Sequence, residues 1–180
     1  MQKSLFVSAA LGAISPLLLF DAPARAANFE FGETAVKTIY YHSKNLKGRS
    51  VGTPAEAQTV DYLVQQLEGF DYSPTLQPFD YTFREQALTS YNIVAERPGT
   101  SGKQILLGAH YDNAPSTDTL DRSQLEGTND NASGVGVLLE LAQRLETETT
   151  HSVKFVFFGA EEIGLVGSDF YANSLSQQAI

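Results

Sequence analysis

Two short, unbroken apolar runs constrain this chain most: residues 105–109 (ILLGA) and 153–159 (VKFVFFG, apolar but for its lysine). Runs of this length bounded by polar residues read as strands buried on both faces, the habit of parallel sheets. A Val- and Leu-rich stretch at 134–145 lies between them and reads as a helix, and a further helix begins near Ser168. Strand, helix, strand, helix predicts a parallel core with helices on both faces. Each run also ends on residues suited to a divalent metal. Gly108-Ala109-His110-Tyr111-Asp112 closes the first, and Gly159-Ala160-Glu161-Glu162 closes the second.

Upstream, residues 33–45 have helical character, with Val36, Ile39 and Tyr40 on one face. Thr53-Pro54-Ala55-Glu56 is a helix start: Thr53 caps, Pro54 suits the first turn and Glu56 completes a capping box. Val60, Leu63, Val64 and Leu67 form its apolar stripe and Gly69 ends it. Residues 75–83 and 91–96 read as strands, the second followed by a Pro98-Gly99 turn. The long polar stretch 112–129 reads as a loop, and loops of that length in a compact domain are usually functional.

Composition narrows the partners. The 180 residues carry a formal charge of −9, which disfavours nucleic acid. With no cysteine, disulfides and thiolate ligands are excluded, so any metal must be held by His, Asp, Glu or water. Residues 1–26 read as a secretory signal peptide: Lys3, then an apolar core, then Ala24-Arg25-Ala26 as the cleavage site. Pro16 interrupts that core, which is short for a membrane span. The expected mature chain, 27–180, is exported to the periplasm or the extracellular space, free of the membrane. Its charge is −10, since Lys3, Arg25 and Asp21 leave with the leader.

Sites in open α/β sheets lie beyond the carboxyl ends of the strands. His110 and the Glu161-Glu162 pair each follow a strand directly. Asp130 precedes a helix that must run back antiparallel to the strands, so its start lies at the same edge. Topology therefore brings one imidazole and several carboxylates together. Asp112, two residues beyond His110, can accept the second ring N–H of the imidazole. Converging carboxylates raise one another's pKa, and a bound cation removes that conflict.

These segments, with Gly52-Thr53-Pro54, the run Asn92-Ile93-Val94-Ala95-Glu96-Arg97-Pro98-Gly99 and Gly127-Thr128-Asn129-Asp130-Asn131-Ala132-Ser133-Gly134, resemble the zinc exopeptidases of the aminopeptidase type with two co-catalytic metals. That group also holds glutamate carboxypeptidases and glutaminyl cyclases. The resemblance runs from about Tyr40 to Tyr171. It implies a three-layer α/β/α domain with a mixed, largely parallel sheet and two zinc ions per complete site. His110 would bind one metal, Asp130 would bridge both and Glu162 would bind the second. Glu161 would be the general base, and Asp112 would orient His110. It also implies a cis peptide bond between Asp130 and Asn131. An acidic site draws a substrate's amino terminus, which favours an aminopeptidase acting on peptides over a carboxypeptidase; a carboxypeptidase or glutaminyl cyclase of the same fold is the further alternative.

The family pattern needs one more Asp and one more His. His42 reads as a surface or core residue of the first helix. His151 precedes the strand that Glu161 follows, so at ~3.3 Å per residue it lies on the order of 20 Å away. Asp169 reads as the start of a helix. The expectation is the amino-terminal part of a zinc aminopeptidase, with the missing Asp and His supplied by a further, separate portion. The alternative is a non-catalytic chain that keeps the fold for binding. Retention of His110, Asp130, Glu161 and Glu162 as a set argues against it.

Overall fold

In the computed structural model, residues 31–145 and 148–178 are described, the side chains of 176–178 excepted. The expected leader, 1–26, lies outside the described residues.

The order is α1 (Glu33–Asn45), α2 (Pro54–Gly69), β1 (Thr75–Phe83), β2 (Gln86–Arg97), β3 (Gln104–His110), α3 (Ser133–Arg144), β4 (Ser152–Phe158) and α4 (Val166–Gln178). The four strands form one sheet in the order β1-β2-β4-β3. It is mixed, as expected: β3 and β4 pair in parallel, while β1–β2 and β2–β4 are antiparallel. β2 begins at Gln86, five residues before the expected strand, because residues 86–90 pair with β1 across a tight hairpin.

β4 is buried on both faces, which accounts for its unbroken apolar sequence. Phe155 and Phe157 join Ile93, Ala95, Leu63, Leu67, Val135 and Leu139 in the main core, under α2 and α3. Phe158, on the opposite face, packs edge-on against Tyr171 of α4 at 5.9 Å. Burying one such side chain stabilises the fold by roughly 1.5–3 kcal/mol.

β3 departs from expectation. It is not buried on both faces: Ile105 and Leu106 are each 45% exposed. The reason is position, since β3 is an edge strand among the described residues and only β4 pairs with it. Apolar sequence alone does not say whether a strand has one neighbour or two.

α1 also differs. Val36 and Tyr40 point outward, and the helix buries Thr38, His42 and Ser43 instead. The cause is close packing on α3, where a Cβ on Gly136 would meet the Ala35 carbonyl oxygen at 2.8 Å. His42 is a core residue whose Nδ1–H donates to the Thr38 carbonyl at 2.9 Å. Burial, aided by nearby Arg49, lowers its pKa to about 4 and keeps it neutral.

α2 starts as expected, with Thr53 Oγ1 accepting from the Glu56 N–H at 3.2 Å. The reciprocal half of the capping box does not form, because Thr53 N–H already donates to Ser50. Glu56 turns instead to the Gly52 N–H at 2.6 Å and the Ser90 hydroxyl at 2.6 Å. Val60, Leu63 and Leu67 are buried as the stripe predicts, and Val64 packs beside them.

No helix among the described residues is long and apolar enough to cross a membrane.

The first turn of α1 lacks a local side-chain cap. Glu140 of α3 supplies one from 108 residues away, accepting from the N–H groups of Gly32 and Thr34 at 3.0 and 2.9 Å. Burial pushes this carboxyl up, but those N–H groups, that of Ala35 and the Arg144 guanidinium outweigh it and hold the pKa below its ordinary value. A depressed carboxyl pKa adds stability above the unfolded-state value, and that stability disappears as pH falls through the folded value. Glu140→Gln should therefore destabilise the chain by about 1–3 kcal/mol at neutral pH. In urea unfolding from pH 7 down to pH 3, the gap between variant and wild type should close in acid. A gap independent of pH would assign the effect to something other than the charge.

Candidate metal centre

Parallel register sets the site. His110 pairs with Phe158 at the carboxyl ends of β3 and β4, so the chain leaves both strands at one edge. Tyr111 N–H donates to the Phe158 carbonyl at 2.9 Å, extending the pairing one step. Next comes Asp112, fully buried. Its two carboxylate oxygens accept the main-chain N–H groups of Glu161 and Glu162, each at 3.1 Å. Asp112 Oδ1 also lies 3.5 Å from His110 Nδ1, close enough for strong electrostatic attraction but long for a hydrogen bond. The sequence reading had Asp112 orienting His110; its shorter contacts are to the backbone that carries the two acids.

Asp130 arrives from the other side, on a short irregular turn (Thr128–Ala132) that leads into α3. The Asp130–Asn131 peptide bond is cis, the form the resemblance implies. Asn131 Oδ1 accepts the Gly134 N–H at 3.0 Å and so serves the first turn of α3. Ser133 Oγ donates back to the Asn129 carbonyl at 2.8 Å. Asp130 Oδ1 then lies 2.9 Å from His110 Nε2.

His110, Asp130 and Glu162 each offer one ligand atom, and these atoms lie within 4.8 Å of one another. Glu161 Oε2 is 3.7 Å from His110 Nε2. The Asp130 side chain is 70% exposed, so the cluster opens to solvent.

Burial pulls the His110 pKa down, but Asp112, Glu161 and Asp130 overcome this and hold it at about 9. Glu162 is pushed up by burial and then by the charges of Asp130, Asp112 and Glu161, with His110 opposing. Carboxylates this close repel one another unless a cation lies among them. One imidazole nitrogen and several carboxylate oxygens are a donor set that zinc accepts. The buried Nδ1 of His110 faces Asp112, which leaves Nε2 turned to the cluster as a ligand nitrogen must be.

The remaining candidates stay out. His42 is in the core. His151 bonds Ser101 Oγ at 2.6 Å, before β4 begins. Asp169 is in the first turn of α4.

Two supporting residues escaped the sequence reading of roles. Asn92, fully buried, donates to the Gly167 carbonyl at 2.8 Å and accepts the Gly159 N–H at 3.3 Å, bracketing the segment that carries both acids. A lone amide inside an apolar strand was its signal. Arg49, also fully buried, had none: it is a single arginine in a short loop.

The chain is similar to several known proteins. The chain is 33% identical over 166 residues to the alkaline phosphatase isozyme conversion protein of Escherichia coli, covering 83% of this chain and 48% of that protein. It is 33% identical over 143 residues to the aminopeptidase YwaD of Bacillus subtilis, covering 76% of this chain and 28% of that one. Among solved structures, a Zn-dependent exopeptidase from Parabacteroides distasonis superposes with a TM-score of 0.65 at 27% identity. That match covers 73% of this chain and 47% of the exopeptidase. The chain thus spans half or less of the length of these proteins. Residues 92–180, which hold every member of the cluster, match Peptidase family M28. It is through this segment, just under half of the chain, that the chain resembles Peptidase family M28.

Proposed function

We propose that this chain carries the amino-terminal share of a zinc aminopeptidase site that acts on peptides. The observation that supports it most is the grouping of His110, Asp130 and Glu162 within 4.8 Å, with Glu161 beside them. His110 and Glu162 would each hold one of two zinc ions, and Asp130 would serve both. Zinc, when bound, supplies a Lewis acid that lowers the pKa of water and polarises a carbonyl. Glu161 accepts a proton from the attacking water and hands it to the leaving amine. Asp112 holds the main chain of Glu161 and Glu162 and attracts His110 Nδ1. The exposed carboxylates draw in the cationic amino terminus of a peptide.

Catalytic zinc usually has three protein ligands, and two zinc ions sharing this set have two each. We infer that an Asp and a His outside residues 1–180, in the same polypeptide or a separate one, complete the site. The family domain would then start after the leader, at Ala27, in an exported protein.

The test is zinc titration, followed by assay on aminoacyl anilides with and without the completing polypeptide. Alone, the chain should bind zinc weakly and turn over little substrate. In the completed protein, Glu161→Gln should retain zinc and lose about 10²–10⁴-fold in kcat. Glu162→Gln should weaken zinc binding itself. Robust turnover by the short chain, abolished by Glu161→Gln, would show that its own ligands suffice. Cyclisation of an N-terminal glutaminyl peptide, with no amino acid released, would overturn the aminopeptidase reading.

Zinc binding should release protons. The zinc-free His110 is protonated at pH 7 because its pKa is held at about 9, and a ligand imidazole must be neutral. Calorimetry in two buffers of different ionisation enthalpy should give a net proton release near pH 7, and affinity that falls as pH is lowered. Buffer-independent heats would contradict this.

Export should remove residues 1–26. Mass spectrometry of protein secreted from a bacterial host should find Ala27 at the amino terminus, and an intact Met1 would refute it.

A further inference from the structure

Arg49 sits in the loop between α1 and α2, fully buried, and forms no ion pair among the described residues. Its guanidinium binds main-chain carbonyls instead. Nε donates to Tyr111 at 2.7 Å, Nη1 to Glu126 at 2.7 Å and Leu46 at 3.3 Å, and Nη2 to Gly127 at 2.8 Å. A buried charge is costly unless its donors are all engaged, so this geometry is demanding. Leu46 closes α1, and the other three carbonyls come from the two ends of the long polar loop. Tyr111 directly follows His110, and Gly127 stands three residues before Asp130.

The loop is shaped to receive the guanidinium. Gly127 has φ +55, and a Cβ there would meet Asn113 Oδ1 at 2.0 Å and Arg49 Nη2 at 2.7 Å. Asn113, fully buried, donates its N–H to the Arg49 carbonyl at 3.2 Å and its side-chain amide to Leu125 at 2.8 Å. Gly48 N–H reaches the same Leu125 carbonyl at 2.9 Å.

We propose that Arg49 is a positioning residue of the metal centre: by gripping the carbonyls of Tyr111, Glu126 and Gly127 on one guanidinium, it sets the Asp130 segment at its distance from His110. This rests on the reading of His110, Asp130 and Glu162 as metal ligands. Lysine cannot substitute, since its donors share one nitrogen and cannot span carbonyls on both sides of a planar fork. Arg49 also places a fixed positive charge behind Asp112, Asp130 and Glu162. Burial lowers its pKa to about 10, with those three acids pulling the other way, so it stays charged at neutral pH.

Amide and side-chain exchange on the zinc-free chain tests the grip, and zinc affinity tests its consequence. In the wild type, the Arg49 Nε–H should exchange at least about tenfold more slowly than that of an exposed arginine. Arg49→Lys should speed exchange at the amides of residues 127–132 about tenfold, leave the β4 amides unchanged, and weaken zinc binding about 10- to 100-fold. Gly127→Ala, which presses on the same guanidinium from outside, should loosen the same amides with Arg49 still present. An Arg49 Nε–H that exchanges as fast as an exposed one would overturn the proposal, whether or not the variants fold. So would loosening of 127–132 only in step with β4, the mark of general destabilisation. Failure of the wild type to bind zinc would instead sink the metal reading, while the zinc-free exchange data still decide the grip.

Discussion

A single buried carboxylate joins the pieces of the site. Asp112 has no exposure, and an ionised group there is tolerable only if its oxygens find strong donors. It finds them in the peptide N–H groups of Glu161 and Glu162, 49 and 50 residues away in sequence. The same carboxylate faces the His110 ring. The demand of one buried charge for partners thus fixes the distance between the strand exit at His110 and the one at Glu161 and Glu162. The parallel pairing of β3 with β4 brings those exits side by side, and Asp112 locks the loops that follow.

The third segment has no such direct lock. Asp130 stands on an irregular turn with an exposed side chain. Its placement comes from behind, through the Arg49 guanidinium and the glycine at 127 that makes room for it. Arg49 and Asp112, buried and opposite in charge, therefore direct their hydrogen bonds to the main chain rather than to each other. Each turns its hydrogen-bonding capacity into the position of a loop. The acids they arrange are left facing one another, a state that favours a cation among them.

How far this could be foreseen differs from residue to residue. His110, Asp130, Glu161 and Glu162 were recognisable because each lies at a boundary where an apolar run stops or a helix starts, and boundaries are written locally. Thr53 as a cap was readable for the same reason. The second half of that cap was not: Glu56 prefers Gly52 and Ser90, and Ser90 comes near only once β2 has formed. Val36 and Tyr40 make a plausible buried face by periodicity, yet the approach of α1 to Gly136 turned a more polar face inward.

The amino-acid sequence by itself determined the elements and their order, the apolar run that becomes the doubly covered strand β4, and the chemistry of the donor set. Those follow from dihedral preference, side-chain period and residue type, all of which act over a few positions. Only the tertiary structure decided that β3 lies at the edge of the described sheet, that Glu140 caps a helix 108 residues before it, and that Arg49 reaches carbonyls 62 and 78 residues downstream. Contacts of that span depend on how whole elements pack, and packing is a property of the assembled core that no local stretch of chain contains.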